Sequence, residues 1–310
     1  MIPRTVVMVR PKTFHFNNET SGSNVFQRND QEDHTSVLAK ALSEFDDMAG
    51  RLARHGIGVR IFDDTDEPEK PDAIFPNNWL SFHPDGRVIL YPMMAGNRRL
   101  ERRTDIIEML AREFLIKEVI DLTREEEKGL YLEGTGSVVF DHGNRILYAC
   151  HSPRTSQKMV EALAVMLGYR FHIFHALDEN SVPVYHTNVM MAVGRKFVVI
   201  CLDSIGEEEQ EALLETFAGS GLKVIAISFA QMRSFAGNLF EVENEKGESL
   251  IIISSRAMEA LLPGQKDALS KFGQLLPMAI PTIENYGGGS VRCMVAGLYL
   301  PKRISVLALE

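Results

Sequence analysis

The segment YHTNVMMAVGRKFVVICL, residues 185–202, runs on into EEEQEALLETF, residues 207–217. The polar group Tyr185-His186-Thr187-Asn188 opens an apolar run, with Thr187–Val193 as a first strand. Gly194-Arg195 is a turn and Lys196–Leu202 a second strand, so the segment reads as a hairpin. Glu207–Phe217 has the spacing of the helix that follows.

The same order recurs on both sides of this segment. Upstream, Gly134–Phe140, the turn Asp141-His142-Gly143-Asn144 and Arg145–Cys150 lead to a helix at Ser156–Leu167. Before that, Trp79–Phe82, the turn His83-Pro84-Asp85-Gly86 and Arg87–Tyr91 lead to a helix at Arg99–Phe114. Downstream, Gly237–Glu243, a turn at Asn244–Gly247 and Ser249–Ser254 precede a helical stretch within Arg256–Leu275, interrupted near Pro263-Gly264. Arg292–Leu300 comes last; the strands Val6–Arg10 and Gly58–Phe62 and the helix Val37–Leu52 come first. Glu133, His186, Gly237 and Cys293 mark the repeated position at separations of 53, 51 and 56 residues, and Asn78 lies 55 residues before Glu133.

Five such units use the whole chain. A period of this size points to a solenoid, a propeller or another closed array. Closure removes exposed sheet edges, and pairing of the first and last segments would hold a ring shut. An open α/β sheet gives similar alternation without symmetry, so periodicity alone leaves both architectures standing.

Length and composition narrow the function classes. The 310 residues allow one large domain or two modest ones; the repeat favours a single domain, 1–310. The 42 acidic against 33 basic residues give a net charge of -9, which repels polyanions and argues against nucleic acid as a partner. No apolar run approaches a membrane span, and the first residues lack the pattern of a secretory signal. Cys150, Cys201 and Cys293 are an odd number at wide spacing, unlike a disulfide framework, and no clustered His/Cys pattern suggests a metal. A cytoplasmic protein with free thiols is the expectation.

Cys293 follows Gly287-Gly288-Gly289-Ser290-Val291-Arg292, where glycines permit close approach of backbone to ligand. It reads equally as a nucleophile or as a buried structural cysteine. Arg292 can favour a thiolate, although neighbouring side chains in a strand point to opposite faces. Cys150 and Cys201 read as core residues. His186 has the chemistry of an acid/base near neutral pH. Its place in one repeat matches that of Cys293 in another, and closure would aim both at one axis. Glu133 precedes Gly134-Thr135-Gly136-Ser137 and can bind a planar N–H group, or can simply be a surface acid. Asn77 and Asn78 suit a polar planar group or turn hydrogen bonds. Arg154 and Arg98 suit a substrate carboxylate or solvent. His83, in a turn, reads as a solvated loop residue.

Taken together, these motifs resemble the guanidino-group-modifying, or pentein, superfamily, and most of all its arginine-deiminase-related proteins and citrulline-utilisation hydrolases. The resemblance rests on Asp72-Ala73-Ile74-Phe75-Pro76-Asn77-Asn78, Leu132-Glu133-Gly134, Ser152-Pro153-Arg154-Thr155, His186-Thr187-Asn188 and Gly288-Gly289-Ser290-Val291-Arg292-Cys293-Met294, in the family's order. It implies a five-bladed pseudo-symmetric α/β propeller. It also implies Cys293 as nucleophile, His186 as acid/base and Glu133 as binder of substrate nitrogen. Arg154 and Arg98 would hold an amino-acid carboxylate, and Asn77, Asn78 and Asn188 would complete the substrate site. The polar stretch Asn17–Asp33 would cover the pocket, with Asn24 and Arg28 as contacts. The implied substrate is a small amino acid with a guanidino or ureido group, handled without metal or organic cofactor; homo-oligomerisation is left open.

This sequence departs from the family at two places. Many relatives carry Asp where Asn78 stands, and their Gly-Gly-Asp-like segment becomes Thr135-Gly136-Ser137. Loss of that acid favours a neutral ureido group, so the expected reaction is hydrolysis of citrulline to ornithine. Arginine deimination, amidino transfer and an arginine-like ligand-binding protein are the alternatives.

Overall fold

The computed structural model describes residues 1–29 and 32–303. Five three-stranded sheets follow one another along the chain. The first contains β1 (Thr5–Arg10) and β2 (Gly58–Asp63). The second is β3 (Leu80–Phe82), β4 (Arg87–Leu90) and β5 (Glu118–Asp121). The third is β6 (Val138–Asp141), β7 (Ile146–Cys150) and β8 (Arg170–Phe174), and the fourth β9 (Met191–Val193), β10 (Phe197–Ile200) and β11 (Lys223–Ala226). The fifth is β12 (Phe240–Glu243), β13 (Ser249–Ser254) and β14 (Gln274–Met278). The last strand, β15 (Ala296–Leu298), returns to pair antiparallel with β1, Thr5 opposite Leu298 and Val7 opposite Ala296. This pairing closes the expected ring: the fold is a five-bladed pseudo-symmetric α/β propeller, with no continuous barrel.

Each blade is built alike. A short strand pairs antiparallel with a central strand, which pairs parallel with a third after a crossover that carries helix or helical turn. The central strands are apolar almost without break (Val6–Val9, Leu147–Ala149, Phe197–Ile200, Leu250–Ile253) and buried, the pattern of a strand covered on both faces. In the first blade the crossover is the helix His34–Arg54. Asp33 caps its start by accepting from the Ser36 N–H, and its buried face is Val37, Ala41, Phe45, Met48 and Leu52, spaced by three and four. Among the described residues no helix is long and apolar enough to cross a membrane.

The structure corrects the sequence reading in two ways. The third strands β5, β11 and β14 were not anticipated. β5 and β11 are largely exposed, as in Glu118–Asp121, so they lack the apolar signal of a core strand. The first strands also begin later than expected. Gly134–Ser137 and Thr187–Met190 are single helical turns set before β6 and β9. Those turns swing polar side chains off the sheet and onto the ring axis.

Candidate active site

The turns before the first strands deliver Asn78, Glu133, His186 and Cys293 to one buried place, and the segments after β4 and β7 bring Arg98 and Arg154. Cys293, His186, Glu133, Asn78, Arg98 and Arg154 are each no more than 4% exposed. Cys293, His186, Asn78, Arg98, Arg154 and Asn24 line a common cavity with Asp72 and Tyr185. Glu133 stands just behind its wall. Glu133 and His186 are equivalent in the ring, each five residues before its strand (Val138 and Met191). Cys293 stands three before Ala296, the place Asn188 holds before Met191. The expected equivalence of Cys293 and His186 is therefore replaced by one between Cys293 and Asn188.

Glu133 is the hub. Its Oε2 accepts from His186 Nε2 at 2.8 Å and from Arg154 Nη1 at 3.3 Å, and its Oε1 accepts the Met94 N–H at 3.0 Å. Burial opposes ionisation of this carboxyl, but the Arg154 charge, the His186 bond and the Arg98 charge outweigh it and hold the group well below the usual carboxylate range. Burial pushes His186 down to about 4, with Glu133 opposing, so the ring is neutral near pH 7. With Nε2 donating to Glu133, Nδ1 is its acceptor. Gly136 keeps that side open: a Cβ there would stand 2.7 Å from His186 Nδ1 and overlap the Asn78 amide.

The thiol sits among amides. Asn238 Nδ2 approaches Cys293 Sγ at 3.4 Å and Asn188 Nδ2 at 3.5 Å. Asn238 is itself held, giving an N–H to Asn188 O at 2.8 Å and accepting the Arg292 N–H at 3.0 Å. N–H donors aimed at sulfur favour negative charge there. Sequence reasoning passed over Asn238, although Gly237 beside it was an anchor of the repeat. It also passed over Asp72 as a ligand. Asp72 accepts Asn17 Nδ2 at 2.7 Å on Oδ2, while Oδ1 is buried without a partner.

The segment after β1 covers the cavity. Ser23 Oγ accepts from Arg154 Nη2 at 2.6 Å and from Nε at 3.1 Å, and Thr20 O accepts from Nη2 at 3.1 Å. Asn24 Nδ2 donates to Gly287 O and Gly288 O, each at 3.3 Å. Gly288 has a φ of +60°, and a Cβ there would strike that amide. Asn24 is thus a lid anchor against the glycine run.

Three expectations need correcting. Arg28 is exposed and lines a separate cavity with Asp178 and Glu179, because the chain turns outward once Asn24 is anchored. Asn77 is outside the cavity lining; its side chain is buried with neither amide atom paired, and its carbonyl accepts from Thr135 Oγ1 at 3.2 Å. Asn188 touches the thiol and lines a different cavity below it. Asn78 and Arg98 are present but engaged: Asn78 Nδ2 donates to Glu133 O at 3.3 Å, and Arg98 donates to Asn78 Oδ1 at 2.9 Å and to both oxygens of Glu101. Cys150 and Cys201 are buried in the core, as expected. Among the described residues no cluster of His, Cys, Asp and Glu is arranged to hold a metal ion.

The family model described as N,N dimethylarginine dimethylhydrolase, eukaryotic, matches residues 10–300. The chain belongs to this family. That family stands among the guanidino-group-modifying enzymes of the pentein superfamily. No curated protein matches it in sequence. Among solved structures it is similar to ArgZ, an arginine dihydrolase from the ornithine-ammonia cycle in Cyanobacteria, with a TM-score of 0.74 at 15% identity over 97% of this chain and 41% of that one. The N-terminal domain of ArgZ, bound to substrate, gives 0.73 at 15% identity over 94% and 96%. A dimethylarginine dimethylaminohydrolase adduct with S-methyl-L-thiocitrulline gives 0.64 at 15% identity over 96% and 99%. The chain spans about two fifths of full-length ArgZ, and likeness at this identity speaks for the fold.

The amide pair on sulfur yields a prediction. Asn238→Ala should slow alkylation of Cys293 by iodoacetamide by about tenfold, the loss expected for one hydrogen bond to a charged group. The rate is read by mass spectrometry of the Cys293 peptide, with circular dichroism to confirm the fold. An unchanged rate would remove Asn238 from any part in activating the thiol.

Proposed function

We propose that residues 1–310 form one catalytic unit that hydrolyses a ureido or guanidino amino acid through Cys293, with citrulline as substrate and ornithine as product. The observation that carries this is that Cys293 and His186 line one cavity, with the ionised Glu133 hydrogen-bonded to His186 behind its wall. Neutral His186 takes the thiol proton, and Glu133 stabilises the imidazolium so formed. The thiolate adds to the ureido carbon, forming an S–C bond. The carbon–nitrogen bond to ornithine breaks as His186 returns the proton to the departing nitrogen. Water, deprotonated by His186, then breaks the S–C bond, and the carbamate released yields ammonia and carbon dioxide. The balance is citrulline plus water to ornithine, ammonia and carbon dioxide. No step draws on a metal or an organic cofactor. A cytoplasmic setting would keep the thiol reduced.

The substrate carboxylate would take the place of the Ser23 hydroxyl on Arg154, so binding would require the lid to move. Arg98, already paired with Glu101, would act on substrate through Asn78.

A second reading starts from arginine. The neutral Asn78 suggested a ureido group, yet Asp72 lines the cavity with one carboxylate oxygen unpaired and can receive a guanidinium. The same thiol would then release ammonia from arginine to give citrulline. A panel of citrulline, arginine and N,N-dimethylarginine, with products identified by mass, separates the readings. Ornithine from citrulline alone supports the first; citrulline or ornithine from arginine supports the second. All turnover should vanish in Cys293→Ala, and turnover that survives would sink the assignment of the nucleophile.

The pH profile gives an independent check. His186 must be neutral to accept the thiol proton, and burial sets its value near 4. Activity should hold as pH falls through the ordinary histidine range of about 6.5 and be lost only nearer 4. An acid limb centred at or above the ordinary value would contradict this role.

A further inference from the structure

Below the candidate site lies a second cavity, to which all five first strands contribute. The two cavities lie back to back about one peptide bond: Cys293 lines the upper one and Arg292 the lower. His83 is not the solvated turn residue suggested by its sequence. It is 1% exposed and lines the lower cavity.

Two acids, Asp141 and Glu241, and two arginines, Arg195 and Arg292, line it. Arg292 lies with its guanidinium over the Phe240 ring, 4.3 Å from the centroid, and donates from Nη1 to Val295 O at 2.9 Å. Among the described residues it forms no ion pair. The acids of the same wall are already satisfied. Asp141 accepts the Asn144 N–H at 2.9 Å and the Asn144 amide at 2.7 Å. Glu241 accepts the Ser249 hydroxyl and the Arg195 N–H, both at 2.6 Å, and Arg195 also pairs with Glu243. Arg292 is half-buried, so its guanidinium can meet an anion that enters the cavity.

A second group points to the same ligand. His83 Nε2 lies 2.7 Å from Ser81 Oγ, which lies 2.7 Å from Tyr91 Oη, while His83 Nδ1 is buried without a partner. Burial lowers His83 to about 4, so the ring is neutral. An anion in the cavity selects donation from Tyr91 to Ser81 to His83 Nε2, which leaves Nδ1–H as a free donor.

We propose that this lower cavity is a second binding site, separate from the one at Cys293, for a small oxyanion of phosphate or carboxylate type held by Arg292 and His83. The planar guanidinium suits two oxygens of one such group. The site does not depend on the reaction assigned to Cys293, because its test reads binding alone.

Calorimetric titration of the full chain with inorganic phosphate and, separately, with succinate tests it. Saturable binding of either probe is expected, and the one that binds names the anion type. Affinity should fall by at least about tenfold in Arg292→Gln, fall in His83→Phe, and persist in Arg154→Gln, which alters the upper cavity. Circular dichroism checks each fold; should Arg292→Gln fail to fold, His83→Phe decides. No saturable binding of either probe, undiminished binding in Arg292→Gln or in a folded His83→Phe, or a loss confined to Arg154→Gln would each overturn the proposal.

Discussion

A single buried carboxylate organises the upper face of this ring. Glu133 has no solvent exposure, and a lone charge in such a place would cost several kcal/mol in lost hydration. Its compensation comes from separate blades: the Met94 N–H from the second, Arg154 from the third and His186 from the fourth. Arg154 in turn holds Thr20 and Ser23 of the lid. The blades must therefore sit in register for the charge to be tolerated, and the lid is tied to the same network.

Ring closure is what makes that convergence possible. The β15–β1 pairing brings the end of the chain beside its beginning, and Cys293 precedes β15 by three residues. The nucleophile thus reaches the axis only when the last strand finds the first. The short turns before each first strand do the rest, because they free polar side chains from the alternating pattern of a strand.

Much of this was legible in the sequence because the core strands announce themselves. Val6–Val9 and Phe197–Ile200 are apolar runs bounded by turns, and the polar anchors recur at near-constant spacing. The rim was not legible: Glu118–Asp121 and Lys223–Ala226 lie on the outside and carry mixed side chains. In the site, Cys293, His186, Glu133, Asn78, Arg98 and Arg154 were each expected. Asn238 was missed because a lone amide after a glycine has many explanations; only its 3.4 Å approach to sulfur distinguishes it. Arg28 was misplaced because spacing along a loop does not reveal where the loop is pinned, here at Asn24. His83 was misread because it ends the strand side of its turn: it is buried against the lower cavity while Pro84 and Asp85 beside it reach solvent.

The net charge of -9 says little about either cavity. What matters is local: a carboxylate held ionised by arginines above and, among the described residues, an arginine outside any ion pair below. The central claim is that Cys293 forms a covalent bond with the carbon lost from the amino acid. Acid-quenching the enzyme during turnover and measuring the masses of its cysteine peptides tests this most directly. The account predicts an adduct on the Cys293 peptide that disappears once substrate is spent. Turnover with no adduct on Cys293, or an adduct on Cys150 or Cys201 instead, would contradict it.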